Sequence, residues 1–240
     1  MRESAAVFLA FAALGVFTCA PGVTTGDAGE LAAASAVLGV AHAPGYPLFA
    51  LAARAFGLLL PWAAWTYRMN LFSALLGAAG LSLLGASLRR WGFSRAARLG
   101  AVAVLGLSPA WREASSVTEV FALHAFLACL LLWLASCERV LDDGPAAALG
   151  LVFGLALGNH QTMLLVLPGL LLAGKARPRA VVCAAWGTLA GLTVYAFLPI
   201  RAAASPPLDW GHAVTPEAFW RVLTRKDYGS FSLTTEGAAA

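Results

Sequence analysis

The chain has 240 residues, of which 60% are hydrophobic and only 12% charged, against about 45–50% apolar and about 25% charged in ordinary soluble domains. That leaves too little polar surface to cover a soluble globule and points to a polytopic helical membrane protein. The net charge of +4 is modest, and no basic run resembles a nucleic-acid patch, so nucleic acid is not expected as a partner. The four cysteines, Cys19, Cys129, Cys137 and Cys183, lie in or beside apolar segments without CxxC spacing, so they read as small packing residues rather than metal ligands.

Arg2 precedes an apolar run at 5–20. A basic start before such a run also fits a secretory signal peptide. Thr18-Cys19-Ala20-Pro21 is a poor cleavage site and further apolar runs follow, so a retained first helix entering from the cytoplasm is expected. A polar loop comes next, carrying Asp27, Glu30 and His42 before Ala43-Pro44-Gly45-Tyr46-Pro47. Its small-residue run 31–40 predicts a short helix that Pro44-Gly45 terminates, with Asp27 as N-cap or first-turn acid. The stretch 46–60 is apolar, but Arg54 interrupts it and Pro61-Trp62 closes it. It is shorter than the roughly 20 residues that span the hydrocarbon. Tyr46, Phe49, Trp62 and Trp65 flank it, which suits a helix lying in the membrane interface.

The segment 69–88 reads as a clean span ending in the most basic loop, with Arg89, Arg90, Arg95 and then Arg98. Residues 96–109 return outward to a short polar loop with Arg112 and Glu113, and 119–136 go back inward. After a mixed-charge turn at 137–145, residues 146–157 run outward and stop at Gly158-Asn159-His160-Gln161-Thr162. Residues 163–173 return to Lys175, Arg177 and Arg179, and 180–198 run out to Pro199-Ile200-Arg201. The remainder is polar and aromatic, with a turn-like 205–211 and a helix start in which Thr215 caps and Pro216 takes the first helical position. The last residues, 237–240, carry no stop signal, so the chain reads as part of a longer protein.

Charge placement supports this order. The proposed inner loops hold Arg2, Arg89, Arg90, Arg95, Arg98, Arg139, Lys175, Arg177 and Arg179, whereas outer segments before Pro199 hold only Arg54, Arg68 and Arg112. Making 46–60 a full span would turn the two most basic loops outward, against the positive-inside rule. The expectation is therefore an all-α membrane module of about seven spans with the N-terminus inside and the C-terminus outside. The two spans flanking Asn159 are short enough to be tilted or broken.

With that topology the polar residues gather on the outer face: Asp27, Glu30, His42, Tyr46, Glu113, Glu119, Asn159, His160, Gln161, Arg201, Asp209 and Tyr228. Each alone has a bland account. Asp27 and Glu30 fit a solvated helix start, and His42 a loop residue. Glu119 fits a dipole-favoured helix charge, His160 a carbonyl partner, and Arg201 a headgroup anchor. An ionisable group costs about 2.5–3.5 kcal/mol at the bilayer centre and less at the interface, so several on one face suggest a shared polar cavity.

The ordered set of motifs carries a family resemblance. It runs Gly26-Asp27-Ala28-Gly29-Glu30, His42-Ala43-Pro44-Gly45-Tyr46-Pro47-Leu48-Phe49 and Tyr67-Arg68-Met69-Asn70-Leu71-Phe72-Ser73-Ala74. Thr118-Glu119-Val120-Phe121, Gly158-Asn159-His160-Gln161-Thr162, Leu198-Pro199-Ile200-Arg201-Ala202 and Asp209-Trp210-Gly211 follow. Over nearly its whole length the chain resembles the bacterial and eukaryotic membrane family typified by the protein O-mannosyltransferase called transmembrane protein 260, placed among the GT-C glycosyltransferases. Members usually carry His-Pro-Pro-Gly-Tyr-Pro; Ala43 stands at the first proline here, a change in loop stiffness rather than chemistry.

The resemblance implies a GT-C-like transmembrane domain at 1–200 with a first extracytoplasmic loop at 21–68 and juxtamembrane interfacial helices. Residues 201–240 would begin a longer extracytoplasmic part. It implies a multi-pass protein of bacterial inner-membrane type with its active face outside. The activity implied is sugar transfer, mannose in the typical member, from a polyprenyl-phosphate donor to an acceptor protein or glycan. Asp27 is then the general base with Glu30 as neighbour or substitute, and His42, Tyr46, Glu119, Asn159, His160, Gln161 and Arg201 bind substrate. Arg201, His160 or a divalent metal would offset the phosphate charge. Two rival readings stand beside it. A lipid or solute transporter should show inverted repeats and midplane polar groups, and neither is visible. A non-catalytic lipid-binding domain should bind lipid without transferring sugar.

Overall fold

The computed structural model describes residues 2–137, 142–173 and 177–228. Arg139, Lys175 and the terminal 237–240 lie outside the described residues. The helices are α1 (Arg2–Thr18), α2 (Ala28–Val37), α3 (Pro47–Leu58), α4 (Trp65–Arg90), α5 (Arg95–Leu107), α6 (Pro109–Ala114), α7 (Val120–Ala135) and α8 (Asp143–Leu157). A 3-10 turn at Gln161–Val166 then leads into α9 (Leu167–Ala173), and α10 (Pro178–Leu192) continues through a 3-10 turn, Thr193–Ala196, into α11 (Phe197–Ala203). Helix α12 (Pro216–Leu223) and a 3-10 turn, Lys226–Tyr228, follow. Among the described residues there is no strand, only an isolated parallel bridge between Val40 and Asp209. The all-α fold is as the sequence predicts.

Among the described residues two continuous runs, Trp65–Arg90 and Pro178–Ala203, are long and apolar enough to cross a membrane, at 26 residues each. At about 1.5 Å rise per residue such a run exceeds the roughly 30 Å hydrocarbon thickness. Helices α1, α7 and α8 are shorter, with 17, 16 and 15 residues, and α3 has only 12. The segment read as one span at 96–109 ends at Leu107, because Ser108 adopts extended backbone, accepts from the Trp111 amide and starts α6 afresh with Pro109 at its first position.

Helix ends of like predicted sidedness touch. Glu3 at the start of α1 pairs with Arg98 at 3.0 Å and Arg95 at 3.6 Å, near the start of α5. Arg90 closing α4 donates to the Trp133 carbonyl at 2.8 Å and lies over the Trp133 ring late in α7. Asp143 opening α8 meets Arg179 opening α10 at 2.7 Å.

Helices α8 and α10 pack backbone to backbone through glycine. A Cβ at Gly150 would stand 1.9 Å from the Ala184 carbonyl oxygen, and one at Gly187 would stand 2.1 Å from that of Ala147. Only residues without a side chain permit this approach, the device by which helices associate in lipid, where burial of apolar surface supplies no drive. Elsewhere Phe17, Val104, Leu165 and Trp186 point outward from the bundle as exposed apolar groups.

The core nearest the first polar loop holds Leu31, Phe49, Met69, Phe72, Leu123, Leu131, Phe153 and Met163. It therefore joins α2, α3, α4, α7, α8 and the 161–166 turn. A second cluster of Val40, Tyr195, Leu198, Ala213 and Val222 binds that loop to α11 and α12. The arginine that interrupts the α3 stretch braces one helix against another. Arg54 donates to the Ala36 carbonyl at the end of α2 and lies 5.2 Å from the Trp65 ring centre. Arg68 holds the α3–α4 turn by donating to the carbonyls of Ala63, Gly57 and Pro61.

Candidate functional site

Helix α2 begins with Asp27 at the N-cap position, but its carboxylate does not cap the helix. It turns toward His42, with Oδ2 3.7 Å from Nε2. Glu30, one turn on, meets the same imidazole from the other side: both carboxylate oxygens lie 3.2 Å from His42 Nδ1, and Oε1 accepts the His42 backbone N–H at 2.6 Å. The helix that carries both acids ends at Val37, not at Pro44-Gly45. Leu38 takes a left-handed conformation, with φ 50°, and the Gly39 N–H returns to the Ala34 carbonyl. The residues after it are thereby released to bring His42 back beside Glu30.

Exposure separates the three groups. The Asp27 side chain is 58% exposed, against 20% for Glu30 and 14% for His42. With Nδ1 facing Glu30, His42 presents Nε2 to the Tyr46 hydroxyl at 3.2 Å and to Asp27. Burial pushes the Tyr46 phenol up to about 12, and the neighbouring carboxylates of Asp27, Glu119 and Glu30 act in the same direction. The phenol therefore keeps its proton and donates. Tyr46 is itself left-handed, with φ 42°, a conformation rare for a bulky residue and most often retained at functional sites.

Glu119, immediately before α7, faces the same loop; its Oε1 lies 3.9 Å from the Cβ position of Gly26. Burial raises its pKa first and the charge on Asp27 raises it further, while backbone amides at Val120 and Asp27 and the ring of His42 oppose the rise. Three carboxyl groups thus converge in different surroundings: Asp27 exposed, Glu30 tied to an imidazole, Glu119 with its pKa raised by burial. Divergent carboxyl environments of this kind are how sites divide acid and base roles.

His160 extends the site along α7. Its ring stacks on Tyr46 at 6.2 Å and contacts Phe121 at 5.7 Å and His124 at 5.5 Å. Burial first, then His124 and Arg225, lower its pKa to about 4, so at neutral pH it offers hydrogen bonds and no charge. Nδ1 accepts from the Thr162 amide at 3.3 Å, leaving the proton on Nε2. On the open side Tyr228 meets His42 edge to face at 6.3 Å.

Six of the nine residues singled out from sequence therefore gather: Asp27, Glu30, His42, Tyr46, Glu119 and His160. Three support them instead. Asn159 is buried and donates to the Val120 carbonyl at 3.1 Å, while its own oxygen has no partner. Gln161 donates to the Leu223 carbonyl at 2.5 Å. Arg201 donates to the carbonyls of Leu38 and Val37 at 2.7 and 3.3 Å, closing the end of α2. His124 and Arg225 were not singled out; Phe121 and His124 share an α7 face one turn apart, which helix periodicity could have flagged.

Residues 27–179 match the family model described as the Protein O-mannosyl-transferase TMEM260 N-terminal domain. The chain belongs to this family. It is 34% identical over 247 residues to the Protein O-mannosyl-transferase TMEM260 of Mus musculus, an alignment covering 97% of this chain and 35% of that protein. It is 25% identical over 244 residues to the Protein O-mannosyl-transferase tmem260 of Dictyostelium discoideum, covering 89% of this chain and 29% of that one. The chain spans about a third of the length of these TMEM260 relatives. No solved structure matches. The TMEM260 model begins at Asp27 and takes in every gathered acid and histidine; Arg201, Arg225 and Tyr228 lie beyond it.

Proposed function

We propose that this chain is the membrane module of a GT-C-type glycosyltransferase that moves a sugar, mannose by analogy with the relatives' names, from a polyprenyl-phosphate donor to an extracytoplasmic acceptor hydroxyl on protein or glycan. One observation carries the reading: an exposed carboxylate, Asp27, stands beside a partly buried Glu30–His42 pair, on a chain of this family. The module is read as multi-pass, with about seven spans and its acid loop outside the membrane. A bacterial-type inner membrane is the expected setting. Residues 1–200 form the membrane domain, and 201–240 belong to the extracytoplasmic part.

The chemistry follows from the carboxylate environments. The acceptor hydroxyl gives its proton to Asp27 as its oxygen attacks the anomeric carbon, and the bond from that carbon to the phosphate oxygen breaks. Polyprenyl phosphate leaves with the electron pair, and a single direct displacement inverts the anomeric centre. Glu30 fixes the His42 ring, whose Nε2 lies 3.2 Å from the Tyr46 hydroxyl and 3.7 Å from the Asp27 carboxylate. Glu119 lines the substrate side of the site, and the Nε2–H of His160 offers a donor to the sugar or phosphate oxygens. A divalent cation also fits: Asp27, Glu30 and His42 can each present a ligand atom within 4.8 Å of the others. With Glu30 orienting Nδ1, His42 would bind through Nε2 beside Asp27, and the metal would supply charge neutralisation of the phosphate.

The test uses full-length protein reconstituted with a polyprenyl-phosphate sugar and a Ser/Thr acceptor peptide. Asp27→Asn lowers transfer by ~10²–10⁴-fold with an unchanged melting temperature. Full activity in the combined Asp27→Asn, Glu30→Gln variant would sink the catalytic assignment.

A further inference from the structure

We propose that Arg225 binds the donor phosphate, closing the site from the segment that follows α12. The inference rests on the transferase reading above and adds to it a residue outside the matched family region. Asp27 and Glu30 cluster with His42, and the charge of Asp27 reaches Glu119, so the site gathers three carboxyl groups. A cation has to face them if an anionic donor is to settle there.

The arginines expected outside the membrane are otherwise engaged. Arg54 and Arg201 hold the end of α2, Arg68 the α3–α4 turn, and Arg112 the Thr18 hydroxyl. Arg221 lies 3.7 Å from Asp227. His160 is uncharged at neutral pH. Arg225 differs from all of them. Among the described residues its guanidinium has no carboxylate or carbonyl partner; it lies 5.8 Å from the Tyr228 ring centre, and that ring rests against His42.

Its position is built from the chain beneath it. Thr215 caps α12 through the Ala218 amide, Val222 is buried in the cluster with Val40 and Leu198, and Gln161 grips the Leu223 carbonyl. The Arg225 N–H then turns back to the Val222 carbonyl at 3.1 Å, with Arg225 left-handed at φ 54°. Burial dominates the titration of Tyr46 and His160, yet the positive charge of Arg225 acts on both, which puts it in electrostatic range of each wall of the site. An exposed planar fork, unpaired among the described residues, is the group that grips phosphate oxygens in pairs.

The experiment measures binding of undecaprenyl phosphate and of undecaprenol to the full-length protein in nanodiscs. Arg225→Ala weakens the phosphate by ~10–100-fold, the range of charge-assisted hydrogen bonds, and leaves undecaprenol and the melting temperature unchanged. Arg225→Lys recovers part of the affinity, and in turnover the alanine variant raises the donor KM. Equal phosphate affinity in wild type and Arg225→Ala overturns the assignment of Arg225 while leaving the transferase reading intact. A wild-type protein that prefers undecaprenol, or that transfers no sugar, overturns the transferase reading itself.

Discussion

The Thr118 hydroxyl donates to Asn70 Oδ1 at 2.6 Å, and the amide nitrogen of that buried asparagine donates to the carbonyls of Ala20 and Gly22 at 2.7 and 2.8 Å. One side chain near the start of α4 thus joins the entry of the acid loop to the residue preceding Glu119. Replacing it with leucine leaves two carbonyls and a hydroxyl without partners. The expected cost is about 1–3 kcal/mol per orphaned buried group. Thermal unfolding in detergent should show a lowered midpoint for Asn70→Leu, with transfer activity lost in parallel because Asp27 and Glu119 lose their common support.

The acid limb of stability should depend on His160. Its pKa falls from 6.5 to about 4 on folding, so the unfolded chain takes up the proton first. Stability contributed by the neutral ring is present above pH 6.5 and is lost as pH falls toward 4. Melting temperatures of wild type and His160→Gln measured across that window should diverge, the wild type falling more steeply toward acid.

Glu119 has the opposite sign. Its pKa is raised on folding from 4.5, so the folded state holds the proton more firmly than the unfolded chain. The contribution is full below pH 4.5 and is lost as pH rises through the raised folded value. Glu119→Gln keeps the neutral form at every pH. It should melt higher than wild type at neutral pH and converge with it in acid; a gap that widens toward acid would contradict the proposed burial of this carboxyl.

The α8–α10 seam should reject any side chain. Because Cβ atoms at Gly150 and Gly187 would overlap backbone carbonyls, neither neighbour can swing away as a flexible side chain would. Gly150→Ala and Gly187→Ala are each expected to cost about 1–3 kcal/mol or more, read as a lower unfolding midpoint. Gly144, with nothing near its Cβ position among the described residues, serves as the control and should show no packing loss.

Arg201 and Arg225 should fail in different ways. Removing Arg201 frees the Leu38 and Val37 carbonyls at the end of α2, so Arg201→Ala should lower the melting temperature. Its affinity for undecaprenyl phosphate, measured below that transition, should stay close to wild type. A large loss of phosphate affinity at unchanged stability would return Arg201 to the donor site.

Much of the site was legible because its chemistry is local. Asp27 and Glu30 fall one turn apart at a helix start, His42 follows in the same loop, and Thr215-Pro216 is a helix start in its own right. The missed parts depend on distant pairings. Nothing near Arg201 announces that its partners are Leu38 and Val37, and nothing near Tyr228 announces His42. Arg54 shows the same limit from the other side. Its charge helped to mark α3 as non-spanning, yet its bond to the Ala36 carbonyl comes from folding α2 over α3. The number of spans follows from charge asymmetry, a property of loops; among the described residues the helix lengths single out two long runs, and the break at Ser108-Pro109 shortens another.

Val40 donates to the Leu208 carbonyl and accepts from the Trp210 amide, so the segment between α11 and α12 is tied by hydrogen bonds to the loop between α2 and α3. A cut after Ala203 would spare both long helical runs, but it would strip Val40 of those partners and remove α12 from the cluster it shares with Leu198 and Val222. For anyone trimming this chain to a tractable fragment, the useful border therefore lies beyond Tyr228 and not after the last long helical run: the candidate site is held by two chain segments, and neither is a spare part.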